Sequence, residues 1–83
     1  MFEIEWKESA IRDLGKLDKS ISSRIFKKIE ELKKNFNSLD IKQMQGSDHF
    51  RLRVGDYRII FLIRGTIITI SMIGHRKNIY DRV

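Results

Sequence analysis

Eighty-three residues suffice for one domain with a modest core and are too few for two. With 41% hydrophobic and 34% charged residues, no cysteine and no apolar run longer than Ile59–Ile63, the chain is neither disordered nor membrane-embedded. Disulfides, thiolate metal sites and cysteine nucleophiles are excluded with it. A net charge of +6 and the absence of a signal-peptide pattern leave the expectation of a single basic domain over residues 1–83, soluble and cytoplasmic, with no membrane partner.

Phe2-Glu3-Ile4-Glu5-Trp6 alternates apolar and acidic residues, the period-two pattern of a half-buried strand. Ala10, Ile11, Leu14 and Leu17 recur at helical spacing and predict a short helix over about 9–17, weakened at Gly15. Ile21, Ile25, Ile29, Leu32 and Phe36 form the stripe of a second helix. Asp18 or Ser20 is placed to cap it. Lys27–Glu31 and Glu30–Lys34 are candidate ion pairs on its outer face. The short break between the two implies an antiparallel helical hairpin. Residues 37–48 read as a connection from which Leu39, Ile41 and Met44 dip into the core.

From His49 the period becomes two. Phe50, Leu52 and Val54 alternate with Arg51 and Arg53, Gly55-Asp56 supplies a hairpin turn, and Tyr57–Ile63 is apolar on both faces, as a central strand is. Arg64-Gly65 is a second turn and Thr66–Ile73 a third strand. The fold class is therefore α+β: an N-terminal strand, a helical hairpin, then a three-stranded antiparallel meander with the helices on one face. Gly74–Val83 closes the chain as a polar, basic tail. Trp6, Met44 and Met72 read as core, and Arg64 and Arg82 as peripheral.

A loop at Gly55-Asp56 sets Arg53 opposite Arg58 and Arg51 opposite Ile60. Strand parity then gathers His49, Arg51, Arg53 and Arg58 on one face. Carried through the next turn, parity adds Ser71, Ile73 and His75. The charge distribution agrees. Residues 1–40 hold nine Lys/Arg against eight Asp/Glu, whereas residues 41–83 hold eight against three, six of the eight being arginine. Arginine meets phosphate oxygens bidentately, so an arginine-weighted half points to nucleic acid. Arg53 facing Arg58 is a like-charge pair that needs an offset, either an acidic residue within reach or an anion from outside. With only Asp48, Asp56 and Asp81 in the second half, an external phosphate is the more economical account. The scarcity of carboxylates argues against a two-metal nuclease. Metal-free acid–base cleavage of RNA remains open, because the 2′-hydroxyl is a built-in nucleophile.

The stretches Phe50–Phe61 (FRLRVGDYRIIF) and Ile73–Tyr80 (IGHRKNIY), with the order strand, helical hairpin, arginine-rich meander, resemble the RelE/ParE superfamily of toxin–antitoxin toxins, in its RelE-like branch. That resemblance implies a ribosome-dependent endonuclease cutting messenger RNA in the A site, restrained by a cognate antitoxin and needing no metal or other cofactor. By the same analogy Arg51 and Arg53 bind RNA, Arg58 and Arg76 hold the scissile phosphate, and Tyr80 orients a base or assists proton transfer. Family members often place lysine in the first meander strand, as a base. This chain has only arginines there, which leaves His75 as the acid or base. A terminal helix beyond Tyr80 is expected to be short or missing. The alternative is a ParE-like gyrase poison without RNase activity.

Overall fold

The computed structural model describes residues 1–82. Its strands are β1 (Glu3–Trp6), β2 (Ile41–Gln43), β3 (Phe50–Val54), β4 (Tyr57–Arg64) and β5 (Ile67–His75), in the sheet order β1-β5-β4-β3-β2. The meander is antiparallel, while β1 lies parallel to β5 on its outer side. The apolar strand β4 is the middle one, as its sequence requires. Helices α1 (Glu8–Gly15) and α2 (Lys19–Glu31) cover one face. Ala10, Ile25, Ile29 and Leu32 pack there against Leu52, Val54, Ile59, Phe61, Ile68, Ile70 and Ile73.

Two elements differ from the sequence reading. Strand β2 lies inside the segment read as a connection. At three residues, two of them polar, it is too short to show alternation, and it forms because its backbone pairs with β3 at Ile41↔Leu52, Lys42↔Arg51 and Gln43↔Phe50. Helix α2 stops before the end of its apolar stripe. Its last turn tightens to i→i+3 bonds at Leu32, Lys33 and Lys34, and the Lys33 carbonyl accepts the Phe2 N–H across to β1. Phe36 falls instead in a 3-10 turn over Phe36–Ser38. From there its ring meets Phe2 at 5.4 Å and Phe61 at 6.3 Å, closing the end of the core. Asp18 is the N-cap residue of α2 but makes no side-chain cap bond. The outer ion pairs form at i,i+3, Lys28–Glu31 and Lys33–Glu30, rather than at the expected i,i+4 partners.

The β3–β4 register is as the sequence dictates: Val54↔Tyr57, Arg53↔Arg58, Arg51↔Ile60. In the next hairpin Arg64 pairs with Ile67, so the loop is Gly65-Thr66, one residue later than expected. A larger difference follows. Phe61 pairs with Ile70 but Ile60 pairs with Met72, so Ser71 is an extra residue in β5. This β-bulge reverses parity for the rest of the strand. Ile73 pairs with Ile59 in the helix-side core and His75 pairs with Tyr57. Ile73 and His75 therefore leave the face of Arg58, correcting the expected placement, and Gly74 takes the position opposite Arg58.

Beyond Ile70, whose carbonyl accepts the Lys7 N–H, β1 no longer pairs with β5 and α1 serves that edge instead. Ser9 Oγ donates to the Ser71 carbonyl at 2.7 Å, and Asp13 Oδ2 accepts the Ile73 N–H at 3.0 Å. The two side chains are four residues apart and share one helix face.

Gly55 opens the β3–β4 turn at φ 58°, as the first loop residue of a type II′ hairpin does. Gly55→Ala is expected to destabilise the fold by about 1–2 kcal/mol, the cost of a left-handed L-residue. The denaturant midpoint should fall with an unchanged slope; an unchanged midpoint would contradict it.

Candidate functional site

The face of the sheet away from the helices is read from the pairing. Lys42, Arg51, Arg53, Arg58, Ile60 and Gly74 lie on it by register. At the opposite edge Glu3↔Ile67 and Glu5↔Thr69 place two carboxylates on the same face. The open face thus runs from acidic at β1, through a middle where Ile60 and Leu62 lie between Arg58 and Arg64 on β4, to basic at β3 and β2. Lys42 is the residue that sequence reasoning missed. Its only signal is the alternation of Ile41, Lys42 and Gln43, too short to assign a face without knowing the pairing.

The facing arginines are kept apart in their partners. Arg58 is 9% exposed, and its Nη1 donates to the carbonyls of Gly55 at 2.9 Å and Tyr57 at 3.0 Å. Arg53 is more than half exposed and lies 3.9 Å from Asp40. The like-charge pair is therefore offset in part from within, by backbone dipoles and by an acidic residue of the first half of the chain. Of the two offsets open from the sequence, an acidic residue does reach the pair. It comes from outside the second half, whose three aspartates favour an external phosphate. The offset is incomplete: the buried Nε atoms of Arg51 and Arg58 have no hydrogen-bond partner.

The tail crosses this face. Ile79 is fully buried in a 3-10 turn over Ile79–Arg82 and presses on Gly74, where an added Cβ would lie 3.0 Å from Ile79 Cδ1. Ile60, also fully buried, lies on this face outside the helix-side cluster. Tyr80 remains 43% exposed, and its hydroxyl accepts a hydrogen bond from Arg51 Nη1 at 3.2 Å. Arg51 and Tyr80 line a cavity of about 250 Å³ with Lys42, Gln43, Met44 and Gln45. Met44, expected in the core, lines this cavity.

Arg76 and His75 sit elsewhere. Arg76 is at the β3–β4 turn, where its backbone N–H donates to the Asp56 carbonyl at 2.8 Å and its Nε lies 3.5 Å from the Asp56 carboxylate. The His75 ring meets Tyr57 edge to face at 5.4 Å, and its Nδ1 accepts the Lys77 N–H at 3.2 Å. His49 is bound locally, its Nδ1 2.7 Å from Ser47 Oγ. So the six candidate residues divide. Arg51 and Tyr80 meet at the cavity, Arg53 and Arg58 face each other beside it, and Arg76 and His75 lie at the end of the sheet marked by Gly55 and Asp56. The arrangement offers fixed cations beside an open, partly polar hollow that carries an exposed aromatic ring. Such a surface suits a strand of phosphates and unstacked bases.

Among the described residues no group of three or more His, Asp or Glu is gathered so as to hold a metal ion. No helix of the described residues is long and apolar enough to cross a membrane.

The profile of the family described as "ParE toxin of type II toxin-antitoxin system, parDE" matches residues 4–80. Toxin RelE3 of Methanocaldococcus jannaschii is 36% identical, over 95% of this chain and 96% of its own length. The RelB–RelE antitoxin–toxin complex from Methanococcus jannaschii holds a chain similar to this one at 34% identity with a TM-score of 0.76, covering 94% of this chain and 96% of that one. A chain of the archaeal RelE–RelB complex from Pyrococcus horikoshii superposes with a TM-score of 0.78, covering 93% and 97%; at 21% identity it speaks for the fold alone. The meander, the arginines it carries and the relatives that share the fold agree: this chain belongs to the RelE/ParE superfamily of type II toxin–antitoxin toxins.

Proposed function

We propose that this toxin is a messenger RNA endonuclease acting in the ribosomal A site, and that a cognate antitoxin of RelB type holds it inactive. The observation that carries the reading is the cavity where Arg51, Tyr80 and Lys42 come together, beside Arg53 and Arg58. The antitoxin partner is supported by the relative at 34% identity, solved as a complex with RelB.

The chemistry is attack of an RNA 2′-oxygen on the adjacent phosphorus. One P–O bond forms, the P–O5′ bond breaks, and the products are a 2′,3′-cyclic phosphate and a 5′-hydroxyl. The step passes the 2′-hydroxyl proton to a solvent base and delivers one from the toxin to the 5′-oxygen. Arginine keeps its proton, so Arg51 and Arg53 serve as charge for the phosphate oxygens. Arg58, its Nη1 already committed to two carbonyls, directs a fixed positive field at the same place. Tyr80 and Lys42 are the cavity groups with exchangeable protons. Arg51 donates to the Tyr80 oxygen, which leaves the Tyr80 proton free for the departing 5′-oxygen, while its exposed ring offers a platform for a base. His75, turned away by the bulge, takes no proton in this scheme, and Arg76 binds the RNA backbone at the far end.

Purified toxin on ribosomes programmed with a short message should cut it, and a single 2′-deoxy substitution at the cleaved nucleotide should abolish cutting. Cleavage of the deoxy message would rule out the 2′-oxygen as nucleophile. Tyr80→Phe and Arg51→Ala are each expected to slow single-turnover cleavage about 100-fold, and His75→Ala to leave it within about threefold. Equal loss in all three would overturn the assignment.

Arg53→Ala should change stability by less than about 0.5 kcal/mol, whereas Arg58→Ala, emptying a buried site, should cost about 1–3 kcal/mol. Denaturant unfolding separates them, and Arg53 is therefore the cleaner probe of phosphate binding. The family profile that matches carries the ParE description, which supports a second reading, a gyrase poison. Inhibition of supercoiling by the purified toxin, with the message left intact, would select it.

A further inference from the structure

We propose that Asp13, on the first helix, is a positioning residue for the site: through Arg82 it latches the C-terminal turn and thereby holds Tyr80 at Arg51. The functional part of this claim rests on the endonuclease reading above; the latch itself does not.

Asp13 has a side chain only 12% exposed, and one of its oxygens, Oδ2, accepts from two segments far apart in sequence. The Ile73 N–H donates at 3.0 Å and Arg82 Nη1 also donates at 3.0 Å. The first bond belongs to the sheet. It satisfies an amide that the short strand β1 does not reach, since the β1 pairing ends at Ile70. The second belongs to the tail. A carboxylate serving both ties the Ile79–Arg82 turn to the edge of β5.

The tail needs such a tie. The backbone bonds of its turn are local: Asn78 N–H to the His75 carbonyl and Asp81 N–H to the Asn78 carbonyl. A short turn held only by local bonds opens readily. Three side chains reach outward from the turn. Ile79 presses on Gly74, Tyr80 turns toward β3 to meet Arg51, and Arg82 turns the other way, past β5 to α1. The turn is thus pinned on both sides of its central anchor. With the Arg82 pin removed, Ile79 becomes a pivot, and Tyr80 keeps only a partly exposed hydrogen bond.

Arg82→Ala removes the latch and leaves the Ile73 N–H its acceptor, so the fold is kept. Asp13→Asn keeps an oxygen for that N–H and removes the charge. Hydrogen exchange on the purified toxin should show the Asp81 amide exchanging at least about fivefold faster in both variants, with the denaturant midpoint of Arg82→Ala unchanged and Arg82→Lys restoring protection. In the ribosome assay Arg82→Ala should lower the cleavage rate about fivefold in the wild-type background and not at all in the Tyr80→Ala background, where both hydroxyl and ring are gone. Unchanged Asp81 exchange overturns the latch. Equal rate losses in both backgrounds overturn its action through Tyr80. A wild-type toxin that cuts no RNA would defeat the endonuclease reading, and the exchange result would then decide the latch alone.

Discussion

In a pleated strand every second side chain points the same way, so one inserted residue reverses the face of everything after it. Ser71 is that residue in β5. Before it, Ile68 and Ile70 pack under the helices; after it, Ile73 does the same, although simple alternation would put it on the other side. The bulge thereby keeps the helix-side core continuous to the end of a nine-residue strand. It also sets Gly74 opposite Arg58, where an added Cβ would crowd Ile79 at 3.0 Å from its Cδ1. The buried tail anchor, and with it the position of Tyr80, follows from the bulge.

Grouping arginines on one face raises an electrostatic problem, since like charges across a ladder repel. The fold answers it with different partners for each. Arg58 is drawn down onto two carbonyls, Arg53 leans toward Asp40, Arg51 is tied to a neutral phenol, and Arg76 rests on Asp56. The two ion pairs are exposed and weak, so an arriving phosphate displaces little. The Nε atoms of Arg51 and Arg58 are buried without a partner, a cost the fold carries in holding the two guanidinium groups where they are.

Whatever local rules control is legible in the amino-acid sequence. The two-residue turn at Gly55 dictates the pairing of Arg51, Arg53 and Arg58 by itself, because hairpin loop length sets register. The long stripe of α2 and the apolar run of β4 are equally plain. Features set by distant partners are hidden. Nothing local marks Ser71 as a bulge, so simple alternation puts His75 on the wrong face. Lys42 belongs to a strand that exists only through its pairing with β3. Phe36 continues the helical stripe in the sequence, yet its contacts with Phe2 and Phe61 draw it into a separate turn. Arg82, which looks peripheral in a basic tail, meets an aspartate 69 positions earlier.

The graded face has a consequence for encounter. Glu3 and Glu5 stand along one rim, while Lys42, Arg51 and Arg53 lie toward the other. A polyanion nearing this surface feels a torque as well as a pull, since its charges are repelled at one margin and drawn in at the other. It therefore arrives already turned, with its long axis favoured along the cationic strands. For a polyanion that binds here, docking angle would thus be selected before any specific contact is made, over a range of about 8 Å at physiological salt.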